Sequence, residues 1–137
     1  MTNHDVSYVL DASALLVYLQ DESGAERVAD ILNKRCAISA TNWTEVLSKL
    51  SDAGQDPNDV IKQLTEQGLL KASLSIIPFN ADMSCEAAHL RKKTRHVGLS
   101  LGDRACLALA IHMKRPVLTS DRIWATLKLG IRIELVR

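Results

Sequence analysis

Val6-Ser7-Tyr8-Val9-Leu10-Asp11-Ala12-Ser13-Ala14-Leu15-Leu16 is the stretch on which the fold turns. Residues 6–10 are β-rich and read as a buried strand, ended by Asp11-Ala12-Ser13, and residues 14–19 read as a short helix. A carboxylate therefore sits inside an apolar run, where an ionised group is costly unless something compensates its charge. Glu45, Asp103 and Asp121 share that placement, each at the end of an apolar run or the start of a helix. The other acids lie mostly in polar stretches such as Asp21-Glu22 or Asp56-Pro57-Asn58-Asp59.

Outward from this stretch, strands and helices alternate. Glu22-Ser23 opens a second helix with Val28, Ile31 and Leu32 on one face, and residues 36–39 form a short strand. Thr41-Asn42 starts a helix carrying Val46, Leu47 and Leu50, which Gly54 ends. Asp56-Pro57 begins another, proline being tolerated at a first helical position, and it runs to about Gly68 or Lys71. A third strand spans 74–78, a helix 80–95, and the most hydrophobic helix 103–113. A strand at 116–119, a short helix at 121–127 and a strand at 131–135 complete the chain. This order predicts an α/β/α sandwich around a parallel sheet covered on both faces. With no repeat, low-complexity segment or linker, residues 1–137 are expected to form a single domain.

Ligands of such sheets bind at the carboxyl ends of strands, near a switch point. Asp11 follows the first strand and Asp121 the fourth, Asn42-Trp43-Thr44-Glu45 opens the helix after the second, and Asp103 starts the helix leading into the fourth. All four acids can gather at one sheet edge. Carboxylates gathered there repel unless a cation sits between them. Each acid also has an ordinary structural reading: Asp11 and Asp121 as helix caps or turn residues, and Asn42-x-x-Glu45 and Ser100-x-x-Asp103 as capping boxes. Taken together, those readings leave unexplained why every helix of the set opens on an acid.

Composition narrows the classes. The 137 residues are 47% hydrophobic and 24% charged, which excludes a disordered tail. A net charge of +1 gives no global attraction to nucleic acid, so such binding requires a local patch. Cys36, Cys85 and Cys106 are odd in number and form no C-x-x-C pair; Cys106, in an apolar run, reads as a buried inert thiol, and the usage suits a reducing compartment. The segment Met1-Thr2-Asn3-His4-Asp5 lacks the basic region of a secretory signal, and the longest apolar stretch, residues 6–19, is too short to span a bilayer, so a cytoplasmic protein with no membrane partner is expected. His4, His89, His96 and His112 show no zinc spacing with a cysteine. No glycine-rich phosphate loop is present, and Asp11-Ala12-Ser13 lacks the second aspartate of haloacid-dehalogenase-like phosphatases.

Val9-Leu10-Asp11-Ala12-Ser13-Ala14-Leu15 resembles the opening motif of PIN-domain nucleases, and Asn42-Trp43-Thr44-Glu45-Val46 their second acidic motif. Leu101-Gly102-Asp103-Arg104-Ala105-Cys106-Leu107 is similar to the third, and Leu118-Thr119-Ser120-Asp121-Arg122-Ile123-Trp124 to the fourth. Length and motif order resemble the VapC group, the toxins of toxin–antitoxin pairs. The resemblance implies a PIN-like sandwich with a five-stranded parallel sheet and a Mg²⁺- or Mn²⁺-dependent endoribonuclease. It carries the metal-binding acids over to Asp11, Glu45, Asp103 and Asp121, with Thr119 and Ser13 as hydroxyls beside them. It also implies a cognate VapB-like antitoxin as partner and a homodimer.

The residues agree on the metal, because oxygen-only ligands select hard cations over zinc. Asp11 and Asp103 are expected as principal ligands, with Glu45 and Asp121 as further ones and Thr119 and Ser13 orienting water or phosphate. For RNA contacts the candidates are Arg91, Lys92, Lys93 and Arg95, otherwise a solvated helix end, together with Arg104 and Arg122, otherwise ion-paired with the neighbouring acids. Aromatic content is 4%, too low for base stacking to dominate, and Trp43 and Trp124 are expected to pack in the core. The helix pair at 41–71 offers Leu47, Leu50, Val60, Ile61 and Leu64, either to the core or to a dimer or antitoxin interface. The alternatives are a PIN-fold RNA-processing nuclease outside toxin–antitoxin systems, or a non-catalytic RNA- or protein-binding module.

Overall fold

In the computed structural model, which describes residues 5–137, β1 (Tyr8–Leu10) passes directly through Asp11 into α1 (Ala12–Leu19). Then come α2 (Ala25–Leu32), β2 (Cys36–Ser39), α3 (Ala40–Asp52) and α4 (Pro57–Glu66). A single π turn at Leu69–Ser73 leads into β3 (Leu74–Ile77), followed by α5 (Ala81–Lys93), a 3₁₀ turn at Arg95–Val97 and α6 (Leu101–Met113). The chain closes with β4 (Val117–Thr119), a 3₁₀ turn at Arg122–Thr126 and β5 (Ile133–Leu135). Residues 1–4, including His4 and most of the segment assessed for a secretory signal, lie outside the described residues.

All five strands are parallel, in the order β3-β2-β1-β4-β5, so the expected sheet is present. The chain first winds outward from β1 to β2 and β3, then returns across β1 to add β4 and β5 on its other side. Right-handed crossovers place the helices of the two windings on opposite faces. Side chains obey the strand period of two: Leu10, Ile38 and Leu118 pack with α1 to α4, whereas Val9, Ala37 and Val117 pack with α5 and α6. α6 is buried along most of its length, with Ala105 to Ala110 nearly inaccessible.

Several boundaries differ from the sequence reading. Gly24 adopts φ +102 and delays α2 to Ala25, rather than letting it open at Glu22. Gly68, at φ +86, stops α4 at Glu66. α6 starts at Leu101, two residues earlier than expected, because Ser100 is its cap. Trp124 and Trp43 are buried as expected, and so are Leu50, Val60 and Leu64 of the α3–α4 pair, which leaves Ile61 exposed on α4. Among the described residues no helix is long and apolar enough to cross a membrane.

Leu107 is fully buried between α6 and the sheet. Leu107→Ala is expected to lower stability by roughly 2–5 kcal/mol, the cost of lost burial plus a residual cavity. Urea denaturation at constant m-value measures it.

Candidate active site at the sheet switch point

The winding reverses between β1 and β4, so the crevice at their carboxyl ends is the switch point of the sheet. Asp11 closes β1 there, with its backbone N–H donated to Leu118 of β4. It is 5% exposed, and its carboxylate accepts three hydrogen bonds. Oδ1 accepts from Ala14 N at 2.9 Å and from the Ser13 hydroxyl at 2.7 Å, and Oδ2 accepts from the Thr119 hydroxyl at 2.6 Å. Those hydroxyls are themselves acceptors: Thr119 Oγ1 takes the N–H of Asp121 and Ser13 Oγ that of Ser120. The turn after β4 thus polarises two hydroxyls whose protons point at Asp11, and this relay joins the first and fourth motifs. In this arrangement Ser13 and Thr119 orient the carboxylate itself.

Three of the four acids cap helices. Asp11 caps α1, Asp121 caps the following 3₁₀ turn by accepting from Ile123 N at 3.0 Å, and Asp103 completes a capping box with Ser100. Glu45 does not. β2 runs into α3 without a loop and Ser39 is the cap, so Asn42-x-x-Glu45 is no capping box and lies inside the helix. Capping uses one oxygen of a carboxylate. Oδ1 of Asp103, Oδ2 of Asp121 and Oε2 of Glu45 have no hydrogen bond among the described residues.

A single open pocket of about 230 Å³ is lined by Asp11, Ser13, Asn42, Glu45, Lys49, Asp103 and Asp121, with Ala12 and Leu16. All four acids therefore face one space. Burial pushes Asp11 up to about 6; its hydrogen bonds oppose this, and the charge of Asp103 adds to it. The Cys106 thiol, fully buried below the pocket, is raised first by burial and then by the charges of Asp11, Asp103 and Glu45. Glu134 pairs with Arg27 and Arg132, whereas among the described residues no arginine or lysine forms an ion pair with any of the four acids.

The donors are all oxygens, three with an open lone-pair face, which is the chemistry of a hard divalent cation. As the side chains stand, no three His, Cys, Asp or Glu groups among the described residues are close enough together to hold a metal ion. To hold an ion the acids, of which Glu45, Asp103 and Asp121 are half-buried, must draw closer together.

The candidate cations are distributed differently from the sequence expectation. Arg104 is buried and donates to the Ala87 carbonyl at 2.9 Å, tying α6 to α5, so it is not among the cations available to a ligand in the pocket. Arg122 is exposed beside Asp121 but outside the pocket lining. Arg91, Lys92, Lys93 and Arg95 are exposed at the end of α5, where Arg91 and Arg95 flank a separate hollow with Gly98 and Leu99.

A family profile described as PIN domain matches residues 8–128, which includes all four acidic motifs. The chain belongs to the PIN domain family. Among solved structures, this PIN domain is similar to VapBC2 from Rickettsia felis bound to a DNA fragment from its promoter, at 17% identity over 95% of this chain and 98% of that one, with a TM-score of 0.70. DNA-bound VapBC from Salmonella typhimurium gives 15% identity, 96% and 99% coverage and a TM-score of 0.71. A toxin–antitoxin complex from Klebsiella pneumoniae gives 21% identity, 93% and 100% coverage and a TM-score of 0.68. At these identities the likeness is one of fold. Comparison with curated protein sequences gives no match.

The sequence reading missed two residues that line the pocket of this PIN domain, Asn42 and Lys49. The signal was helical spacing: they lie three residues before and four after Glu45, on one face of α3. It missed Gly102 as well, the residue before Asp103.

The raised Asp11 carboxyl has a consequence for stability. Its folded value lies above the ordinary 3.8, so the folded state holds the proton more tightly and ionisation opposes folding. The penalty is absent below about pH 4, grows as pH rises toward 6 and is complete above it, at about 3 kcal/mol. Asn keeps the capping oxygen and removes the charge. Asp11→Asn is therefore expected to raise the melting temperature of the metal-free protein at pH 7.5, with the gain shrinking toward pH 4. A variant no more stable than wild type at pH 7.5 would contradict the buried-charge account.

Proposed function

We propose that this PIN domain is a metal-dependent endoribonuclease of the VapC kind, the toxin of a toxin–antitoxin pair, hydrolysing RNA phosphodiester bonds. The observation that carries the reading is the meeting of Asp11, Glu45, Asp103 and Asp121 in one pocket at the switch point of a PIN-family sheet. Four unneutralised carboxylates have no use in a binding module, whereas they suit Mg²⁺ or Mn²⁺.

In this reading Asp11 and Asp103 are the principal ligands, and Glu45 and Asp121 are further ligands or act through water. A divalent ion, when bound, supplies a water acidic enough to attack at neutral pH and shields charge on the phosphate. The protein contributes the geometry. Ser13 and Thr119 hold Asp11 in one orientation through their hydroxyl protons. Lys49, exposed at the pocket edge one turn beyond Glu45, is placed to meet a phosphate oxygen. Arg91, Lys92, Lys93, Arg95 and Arg122 are the exposed cations assigned to the RNA backbone in this reading, and contacts of this kind position without reading sequence.

Toxin–antitoxin complexes among the structural neighbours support a VapB-like antitoxin as the partner, and we propose a homodimer as the assembly.

Purified protein is expected to cleave RNA in Mg²⁺ or Mn²⁺ and to stop in EDTA. Asp11→Asn and Asp103→Asn should each lose activity by more than the roughly 10–100-fold typical of outer-shell partners of a metal. Equal cleavage by folded variants would sink the assignment. Binding to the native state shifts unfolding by mass action, about 2.7 kcal/mol at a hundred times Kd, so millimolar Mn²⁺ should raise the melting temperature of wild type and not of Asp11→Asn. Expression of the chain alone should arrest growth, with relief from a co-encoded small partner. Unimpaired growth with active enzyme in the cells would refute the toxin role.

A further inference from the structure

Glu45 is held differently from the other three acids, and what holds it lies outside the acidic motifs. Asn42 is 1% exposed, and its Nδ2 donates at 2.9 Å to Glu45 Oε1 and at 2.9 Å to the Gly102 carbonyl. Both partners are acceptors, so they determine which end of the amide faces them. Oδ1 is left buried without a donor among the described residues. A buried acceptor left unpaired is costly, so an apolar residue of similar size would serve the fold at least as well. Asn42 answers to something other than packing.

Gly102 points the same way. It lies in the first turn of α6, where glycine is less favourable than alanine, and it does not adopt the positive φ that would require it. A Cβ there would stand 2.5 Å from Glu45 Oε1 and 2.8 Å from both Cδ and Oε2. The missing methyl is the room in which the Glu45 carboxylate rests, against the α6 backbone.

We propose that Asn42 and Gly102 are positioning residues of the nuclease site, clamping the Glu45 carboxylate onto the turn of α6 that carries Asp103. The proposal rests on the nuclease reading above. Asn42 restricts the rotamers of Glu45 and, through the Gly102 carbonyl, ties it to the residue adjoining Asp103. One side chain thereby sets the separation of two acids that come from different windings of the chain. Such preorganisation matters at a site where donors must be held near a productive geometry before the ion arrives.

Gly102→Ala separates positioning from folding. The atoms that a new methyl would meet are the far end of a flexible side chain, so Glu45 can swing aside while α6 gains a better helix former. The metal-free variant is expected to melt at or above the wild-type temperature. Its Mn²⁺ affinity, measured by calorimetry, should fall by on the order of tenfold or more, with kcat for RNA reduced and KM for RNA unchanged. Asn42→Leu, similar in size but unable to donate to Glu45, should show the same split. Wild-type Mn²⁺ affinity and kcat in Gly102→Ala would overturn the proposal.

A wild-type protein that neither binds Mn²⁺ nor cuts RNA would overturn the nuclease reading instead. The clamp is then read from the metal-free protein, in a double-mutant cycle of Asn42→Ala with Glu45→Ala. Non-additive melting effects support it, and additive effects overturn it.

Discussion

The arrangement depends on one constraint: a carboxylate must be kept at the buried end of β1. Asp11 is almost without solvent, so each oxygen needs donors from the protein. They come from two directions, α1 supplying Ala14 N and Ser13, and β4 supplying Thr119. The second is possible only because β4 lies beside β1, which requires the chain to reverse its winding after β3. The topology that builds a switch point is thus the topology that satisfies the buried acid. Even with these bonds burial wins, and the group is held well above the usual carboxylate range. The site is therefore least comfortable when ionised and empty of cations.

Capping and ligation are compatible uses of the same residues. A carboxylate has two oxygens with about four lone-pair sites, and an N-cap occupies one or two of them. Asp103 and Asp121 each spend one oxygen on a cap and leave the other open. The cap limits where the open oxygen can stand, because a side chain hydrogen-bonded to its own helix keeps few rotamers. Glu45 has no cap to pin it, being inside α3, and a longer side chain besides. It is the acid that needs an external tie, and Asn42 and the space at Gly102 provide one.

Much of this was legible in the chain, for reasons that also mark the limits. Strand–helix alternation predicted the parallel sheet, since apolar runs of four or five residues between amphipathic helices have few other solutions. The acids were legible because each breaks an apolar run, and burial makes such breaks expensive. The sequence reading offered Asn42-x-x-Glu45 as a capping box, yet Glu45 is the one acid of the four that takes no part in a cap. Whether β2 enters α3 through a loop or directly depends on strand register, which no local pattern states. Arg104 was misplaced for a related reason: adjacent residues on a helix point about 100° apart, so neighbouring Asp103 in sequence put Arg104 against α5 instead of in the pocket. Asn42 and Lys49 were within reach of helical spacing from Glu45, but only once Glu45 was known to lie inside the helix.

Gly102 was beyond reach for a deeper reason. A glycine at a helix start has many uses, and the one here is defined by a side chain 57 positions away in the sequence, arriving from the opposite winding of the sheet. Such a residue carries no chemistry of its own. It matters by leaving space, and space is a property of the assembled fold. At this position the room for Glu45 and helix propensity conflict: alanine would strengthen the helix and evict the carboxylate. The buried charge at Asp11 and the weak helix former at Gly102 are two instances of one trade, in which the metal-free fold is less stable than its sequence neighbours would be. Under the proposed metal-dependent function, the stability forgone is recovered when a cation binds, which couples ion binding and the rigidity of the site through the same residues.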